Sequence, residues 1–279
     1  MIFIWMPESP YYYAMKGQDE KASGSLKWLL RKENVEPDFL QLKADVNRQI
    51  SEKSTWSDLF TIKSNRRALA ACIFLQVSQA LAGISSFETY VQYIFEKSGS
   101  LTVSPQVSAM FFSGLLCIVM TGLVFTVDRT GRRKSMVISC LGSAILLLSE
   151  AIYFYLKDTV PDIDFSRLQW FPLAGLITYV FFYSVGLGLL PSLMAGELYS
   201  VSIKGKALSV TNVAMGFIVF VGTFTFKSLN SVTVLYAPFL VFACCTFCSF
   251  VLSFFIIPET KGKTLEEIQQ MLKGNSIKM

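Results

Sequence analysis

The sequence predicts an all-α membrane protein: a bundle of six transmembrane helices with a helical intracellular linker ahead of it. Three observations predict this. Apolar residues make up 52% of the 279 residues and mean hydropathy is +0.47, whereas soluble domains hold about 45–50% apolar residues even with glycine counted. Only 16% of residues are charged, against roughly 25% in average proteins. The apolar residues are also bunched into runs of the length, about 20 residues, that a helix needs to cross a bilayer.

In chain order, residues 1–6 (MIFIWM) run into Pro7-Glu8-Ser9-Pro10. They read as the stump of a preceding transmembrane helix, because a secretory signal has a basic start, a longer apolar core and a small-residue cleavage site. Residues 7–66 read as a cytoplasmic linker. Its segment PDFLQLKADVNRQISEK sets Phe39, Leu42, Val46 and Ile50 on one helical stripe, which is an amphipathic helix. A shorter helix is predicted over EKASGSLKWLLRK. A transmembrane bundle over 67–257 follows, with spans at 67–95, 106–127, 135–156, 170–196, 207–229 and 235–257. Each run is too apolar all round for a surface helix and lacks the alternation of a strand. Residues 258–279 read as a cytoplasmic tail.

Alternate numbering of the polar segments sorts the 25 Lys and Arg sharply. All but Lys97, Lys157, Arg167 and Lys227 fall on one side, so the positive-inside rule places both termini in the cytoplasm. The net charge of +5 is therefore a topology signal. The partner it implies is the lipid bilayer, and no nucleic acid.

Several chemistries are excluded. The chain has no His, which removes the commonest general base and every Ser/His/Asp or Cys/His constellation, so an enzyme is not predicted. Cys72, Cys117, Cys140, Cys244, Cys245 and Cys248 all lie in apolar runs. Cys244-Cys245-x-x-Cys248 lacks the fourth ligand a zinc site needs. No metal or other cofactor is implied. The absence of a G-x-x-x-x-G-K-[ST] loop gives ATP-driven transport no support.

Two helix exits match. Pro258-Glu259-Thr260 follows the last apolar run as Pro7-Glu8-Ser9 follows the first, and both precede basic stretches. Exits six helices apart suggest an internal repeat, and parallel six-helix repeats build major facilitator transporters. DRTGRR (Asp128 to Arg133) lies between the second and third spans, GELYSVSIKGKA follows the fourth, and PETKGKT follows the sixth. With PESP and QVSQALAGI, these motifs resemble the sugar porter family of the major facilitator superfamily, and PESPYYYAMKG…SLKWL is most similar to its insect facilitated trehalose transporter branch. The resemblance covers the whole chain. It implies the second, C-terminal half of a major facilitator fold, with a missing N-terminal six-helix half as partner. The implied activity is facilitated alternating-access transport of a sugar or polyol, hexose or trehalose-like, across the plasma membrane.

The resemblance also assigns roles. Asp128, Arg129, Arg132, Arg133, Glu197, Lys204 and Glu259 correspond to a cytoplasmic gate network, with Lys204 in place of the usual Arg and Ser202 in place of a basic residue. Gly83, Gly186, Gly188 and Pro191 supply helix flexibility; Pro191 removes a backbone hydrogen bond in mid-membrane. Gln76, Gln79, Gly83 and Tyr90 share one helical face, and polar groups on a membrane helix face a cavity or another helix. Substrate-binding candidates are Gln76, Gln79, Ser85, Ser184, Ser192 and Asn212. Gln79 matches the first of the family's paired glutamines. Ala80 replaces the second, Ser85 and Leu116 replace asparagines, Ser184 an acidic residue, and Ser192 and Val213 two tryptophans. Losing two amides and an aromatic platform, at about 0.5–1.5 kcal/mol per net hydrogen bond, weakens the usual hexose site. A non-transporting relative, a sensor or truncated product with an eroded sugar site, therefore stands as the alternative. Two further carboxylates are placed near the outer end: Glu88 in a wet vestibule or as a coupling site, and Glu150 snorkelling to the interface.

Overall fold

Glycine or proline marks several helix ends in this chain, among them Pro10, Gly83, Gly131, Gly186 and Pro191. The computed structural model describes residues 7–51, 55–98, 104–160, 168, 170–232, 235–263 and 265–273. Ahead of the membrane lie α1 (Pro10–Met15), α2 (Asp19–Leu30), α3 (Glu36–Ser51) and α4 (Asp58–Thr61). The bundle comprises α5 (Lys63–Leu81), α6 (Ile84–Ser98), α7 (Pro105–Thr130), α8 (Arg132–Thr159), α9 (Phe171–Val185), α10 (Leu190–Leu198), α11 (Val201–Val232) and α12 (Tyr236–Ile256), and α13 (Leu265–Lys273) follows it. There is no strand among the described residues. Residues 1–6, read from sequence as a helix stump, lie outside them.

Among the described residues, six stretches are long and apolar enough to cross a bilayer, from Lys63–Lys97 to Tyr236–Ile256. Eight helices make these six spans, because the first and the fourth are each broken in two. Gly83, at φ +89° between α5 and α6, takes a conformation that glycine adopts without penalty. Gly186 ends α9, and Pro191 stands in the first turn of α10, where its missing N–H is tolerated. The fifth span starts at Val201, ahead of the 207 read from sequence. Its first turns extend past the apolar run and carry Lys204 and Lys206.

Packing rests on small residues, since lipid tails give helix–helix contact no hydrophobic gain. α8 lies between α9 and α12. One row of its face is Ser135, Ser139 and Ser143, all fully buried. Gly186, which follows α9, rests on the backbone of Ser135. A second centre is aromatic: Phe87 of α6 stacks on Phe239 at 5.1 Å and meets Tyr179 and Phe242 edge-on at 5.5 and 5.7 Å.

Two placements differ from the sequence reading. Glu150 does not snorkel. It is 1% exposed, faces Gly175 of α9, and has no hydrogen-bond partner for either carboxyl oxygen among the described residues. The reason is length: α8 continues to Thr159, more than two further turns at 1.5 Å per residue, so Glu150 stays inside the bundle. The tail also holds a helix the sequence reading leaves out. α13 buries Ile268 and Leu272 against the bundle, and Arg67 donates to its Leu272 carbonyl at 3.0 Å, capping a helix C-terminus with a cation.

The linker helices pack on one another. Lys43 of α3 pairs with Asp19 of α2, and Ser25 Oγ of α2 donates to the Glu8 carbonyl at 2.6 Å. Val46 is buried as the amphipathic pattern requires; the side chain of Ile50 lies outside the described residues. Asn65 Nδ2 donates to the Asp58 carbonyl at 3.0 Å, tying α4 to α5.

The close approach of α8 and α9 is testable. A Cβ on Gly186 would lie 2.5 Å from the Ser135 carbonyl oxygen and 2.7 Å from Ser139 Cβ, whereas Gly216 has open space. Gly186→Ala is expected to destabilise the purified protein by about 1–3 kcal/mol, the usual range for overpacking, and Gly216→Ala to leave its thermal midpoint unchanged or slightly raised. Equal midpoints for both variants would refute the packing.

Candidate functional site

Breaking a helix inside a membrane frees backbone groups that have no water to meet. The two breaks of this bundle answer each other. At the first, Tyr179 Oη of α9, fully buried, donates to the Ala82 carbonyl at 2.8 Å. At the second, Gln79 Nε2 of α5 donates to the Gly188 carbonyl at 3.3 Å. Each broken span thus supplies one side chain to the break of the other. Gln76, one turn before Gln79, is half-buried, and its Oε1 has no hydrogen-bond partner among the described residues. An amide acceptor held out of water beside a second amide is suited to a ligand hydroxyl.

The other substrate candidates separate. Ser184 is fully buried and its hydroxyl donates to the Val180 carbonyl of its own helix at 2.7 Å, so it is turned away from any open path. Ser85 is half-buried, while Ser192 and Asn212 are exposed. Tyr90, on the predicted polar face, stacks on Phe226 at 4.9 Å. Glu88 is exposed.

At the basic end of the bundle, two carboxylates converge on the start of α8. Glu197, on the last turn of α10, accepts from Arg132 Nη2 at 2.7 Å and Nε at 3.3 Å with one oxygen, and from Thr260 Oγ1 at 2.6 Å with the other. Glu259, beyond α12, accepts the backbone N–H groups of Arg132 and Arg133 at 3.1 and 3.2 Å. A helix N-terminus carries partial positive charge on such unpaired N–H groups, so Glu259 is its cap. Gly131 makes this possible: its φ of +94° turns the chain, and a Cβ there would come within 3.2 Å of Glu259 Oε2. Arg133 sends its guanidinium to the Phe254 carbonyl rather than to a carboxylate. Lys204 Nζ donates to the Gly196 carbonyl at 3.2 Å, as expected of a compact ammonium in place of a bidentate guanidinium. The side chains of Asp128 and Arg129 lie outside the described residues.

The sequence reading misses Ser139, Tyr179 and Thr260. The every-fourth-residue serines of α8 were the available signal for the first. Tyr179 is one aromatic among many in an apolar run, and nothing in the sequence distinguishes it.

A profile of the family described as "Sugar (and other) transporter" matches residues 1–272. The chain belongs to this family. Among curated relatives, it is 30% identical over 292 residues to the "Facilitated trehalose transporter Tret1-1" of Drosophila sechellia, a match covering 100% of this chain and 32% of that protein. It is 30% identical, with the same coverage, to "Trehalose transporter 1" of Drosophila melanogaster. It is 31% identical to the "Facilitated trehalose transporter Tret1-2 homolog" of Drosophila simulans, covering 98% of this chain and 56% of that one. The chain therefore spans between about a third and about half the length of these relatives. Among solved structures, a double Trp mutant of XylE superposes with a TM-score of 0.80 at 20% identity, covering 98% of this chain and 56% of that one. The major facilitator superfamily proton:xylose symporter XylE bound to 6-bromo-6-deoxy-D-glucose superposes with a TM-score of 0.75 at 21% identity over the same shares. The fold is that of the major facilitator superfamily.

The Arg132–Glu197 pair has side chains only 12% and 23% exposed, more buried than the exposed pairs that contribute about 0–1 kcal/mol. Breaking buried pairs costs about 3–5 kcal/mol, so for this partly exposed one Glu197→Gln is expected to cost about 1–3 kcal/mol. A double-mutant cycle with Arg132→Gln, read by thermal unfolding, should return most of that as coupling. Strict additivity would mean the two side chains do not interact.

Proposed function

We propose that this bundle forms one wall of a facilitated, alternating-access pathway for a sugar, of hexose or trehalose-like size, completed by an N-terminal six-helix half. The observation that carries the reading is the pair of broken spans, tied to each other through Gln79 and Tyr179. Discontinuous helices with ligand-seeking side chains at the break are how secondary transporters build sites near the midplane. Gln76 Oε1, buried and without a partner among the described residues, supplies an acceptor for a sugar hydroxyl. The substrate class is supported by the names of the relatives, trehalose transporters, and by the sugar bound in XylE.

Exposed apolar residues support a face for the second half. The second and fifth spans have far fewer buried residues than the first, and Val213, Phe217, Phe220 and Phe224 are exposed along the fifth. In this reading the carboxylates at Arg132 and Arg133 act as a cytoplasmic latch. Glu197 and Glu259 hold the ends of the fourth and sixth spans to α8, and the resemblance assigns Asp128 and Arg129 to the same network. The rival, a non-transporting membrane protein of the same scaffold, draws support from Ser184, whose hydroxyl is spent on its own helix.

Uptake of labelled glucose and trehalose into vesicles decides between them. Residues 1–279 alone are expected to give none above empty vesicles, and co-assembly with the N-terminal half of a trehalose-transporting relative to give saturable uptake. Gln79→Ala is expected to cut that uptake about tenfold, as the loss of one to two hydrogen bonds implies. No uptake from any co-assembly would favour the rival.

We also propose that both termini are cytoplasmic, from the distribution of Lys and Arg, and that the membrane is the plasma membrane, as the resemblance to sugar porters implies. Epitope tags at residue 1 and residue 279 are expected to stay unlabelled in intact cells, and a tag after Gly99 to be labelled. Surface labelling of either terminus would overturn the orientation.

A further inference from the structure

The fourth span is broken, yet the Leu187 N–H and the Tyr183 carbonyl at its break are paired. The side chain responsible belongs to a different helix. In a continuous α-helix the N–H of Leu187 would donate to the carbonyl of Tyr183. Here a hydroxyl stands between them: Leu187 N–H donates to Ser139 Oγ at 3.0 Å, and Ser139 Oγ donates to the Tyr183 carbonyl at 3.2 Å. A serine hydroxyl has one hydrogen and two acceptor sites, so it replaces one backbone bond with two bonds of its own. Side-chain insertion into the ladder is a recognised cause of a sharp helix bend.

The surroundings keep the hydroxyl in place. Ser139 is fully buried on α8, which runs unbroken from Arg132 to Thr159. Gly186 lets the two backbones close, since its missing Cβ would meet Ser139 Cβ at 2.7 Å. The backbone ladder is irregular on both sides of the serine. The Tyr183 carbonyl already accepts the Gly188 N–H at 2.9 Å, and Pro191 has no N–H to contribute.

We propose that Ser139 is the pivot of the fourth span, a positioning residue on a continuous helix that holds the break while α10 turns against α9. What the turning serves rests on the transport reading above; the bridge itself rests on its geometry. Ser139 touches no substrate. It acts by keeping Leu187 and Tyr183 paired at the one place where the span bends.

Hydrogen–deuterium exchange on the full chain in lipid nanodiscs tests this, with Ser139→Ala, Ser139→Thr and Ser143→Ala beside the native protein. Ser143 is the matched control: it is fully buried on the same helix, with no hydrogen-bond partner for its hydroxyl among the described residues. Ser139→Ala should speed exchange of the Leu187 amide about tenfold, the size of one lost hydrogen bond, with the change confined to residues 184–190. Ser139→Thr, which keeps the hydroxyl, should stay near the native rate, and Ser143→Ala should match the native protein. Unchanged or slower exchange in Ser139→Ala, equal acceleration in Ser143→Ala, or acceleration spread evenly over α8 and α12 would each overturn the pivot. Because the readout is local exchange, a bridge that behaves as expected in a chain that supports no uptake would count against the transport reading alone.

Discussion

Within the hydrocarbon of a bilayer, a backbone N–H or carbonyl that leaves a helix must find a partner inside the protein. That constraint organises this bundle. Two of its six spans are interrupted, and a polar side chain bonds the backbone at each interruption: Tyr179 at Ala82, Gln79 at Gly188, and Ser139 between Tyr183 and Leu187. The glycines supply the turns and the close approach, and the hydroxyls and the amide supply the missing partners. A break made this way keeps its hydrogen bonds, which lets a bent helix persist where a purely apolar neighbour would force it straight.

The same economy of small and polar residues appears in the packing. The buried serine row of α8 brings α9 and α12 close and places one hydroxyl at the break. At the basic end, the N-terminus of α8 is the gathering point for Glu197 and Glu259. One helix therefore carries the bend of the fourth span in the membrane and ties that span's end to the sixth at the aqueous boundary. Arg132 contributes its side chain to Glu197 and its backbone N–H to Glu259, so the two carboxylates meet through a single residue.

Departures from the family pattern fall unevenly. Gln79 keeps its type and binds a backbone carbonyl of the other broken span, which gives it a structural partner as well as a place beside Gln76. Ser184, where glucose carriers commonly have an acidic residue, is folded into its own helix. Val213, where a tryptophan is usual, is 75% exposed. The residues that tie the broken spans together thus keep more of the family pattern than the substrate-binding candidates do.

The sequence by itself determined the class of fold, the number of spans and the family. Hydrophobic runs of bilayer length, the sorting of Lys and Arg, and motifs such as DRTGRR and PETKGKT are local in the chain, so they survive without knowledge of what packs on what. It also marked Gly83, Gly186 and Pro191 as points of flexibility, because backbone restrictions belong to the residue itself. Only the tertiary structure decided which groups meet there. Ser139 reads as one of several serines in an apolar run, and its role exists because Gly186 lets α8 approach Leu187. Glu150 looked close to the outer interface by count along one helix, yet Gly175 of a neighbouring helix encloses it. Arg133 was grouped with carboxylates by charge, and its position beside the end of α12 gave it a carbonyl instead. Periodicity and motif record what a residue is. Its partner is set by helices distant in sequence, and no local pattern encodes their approach.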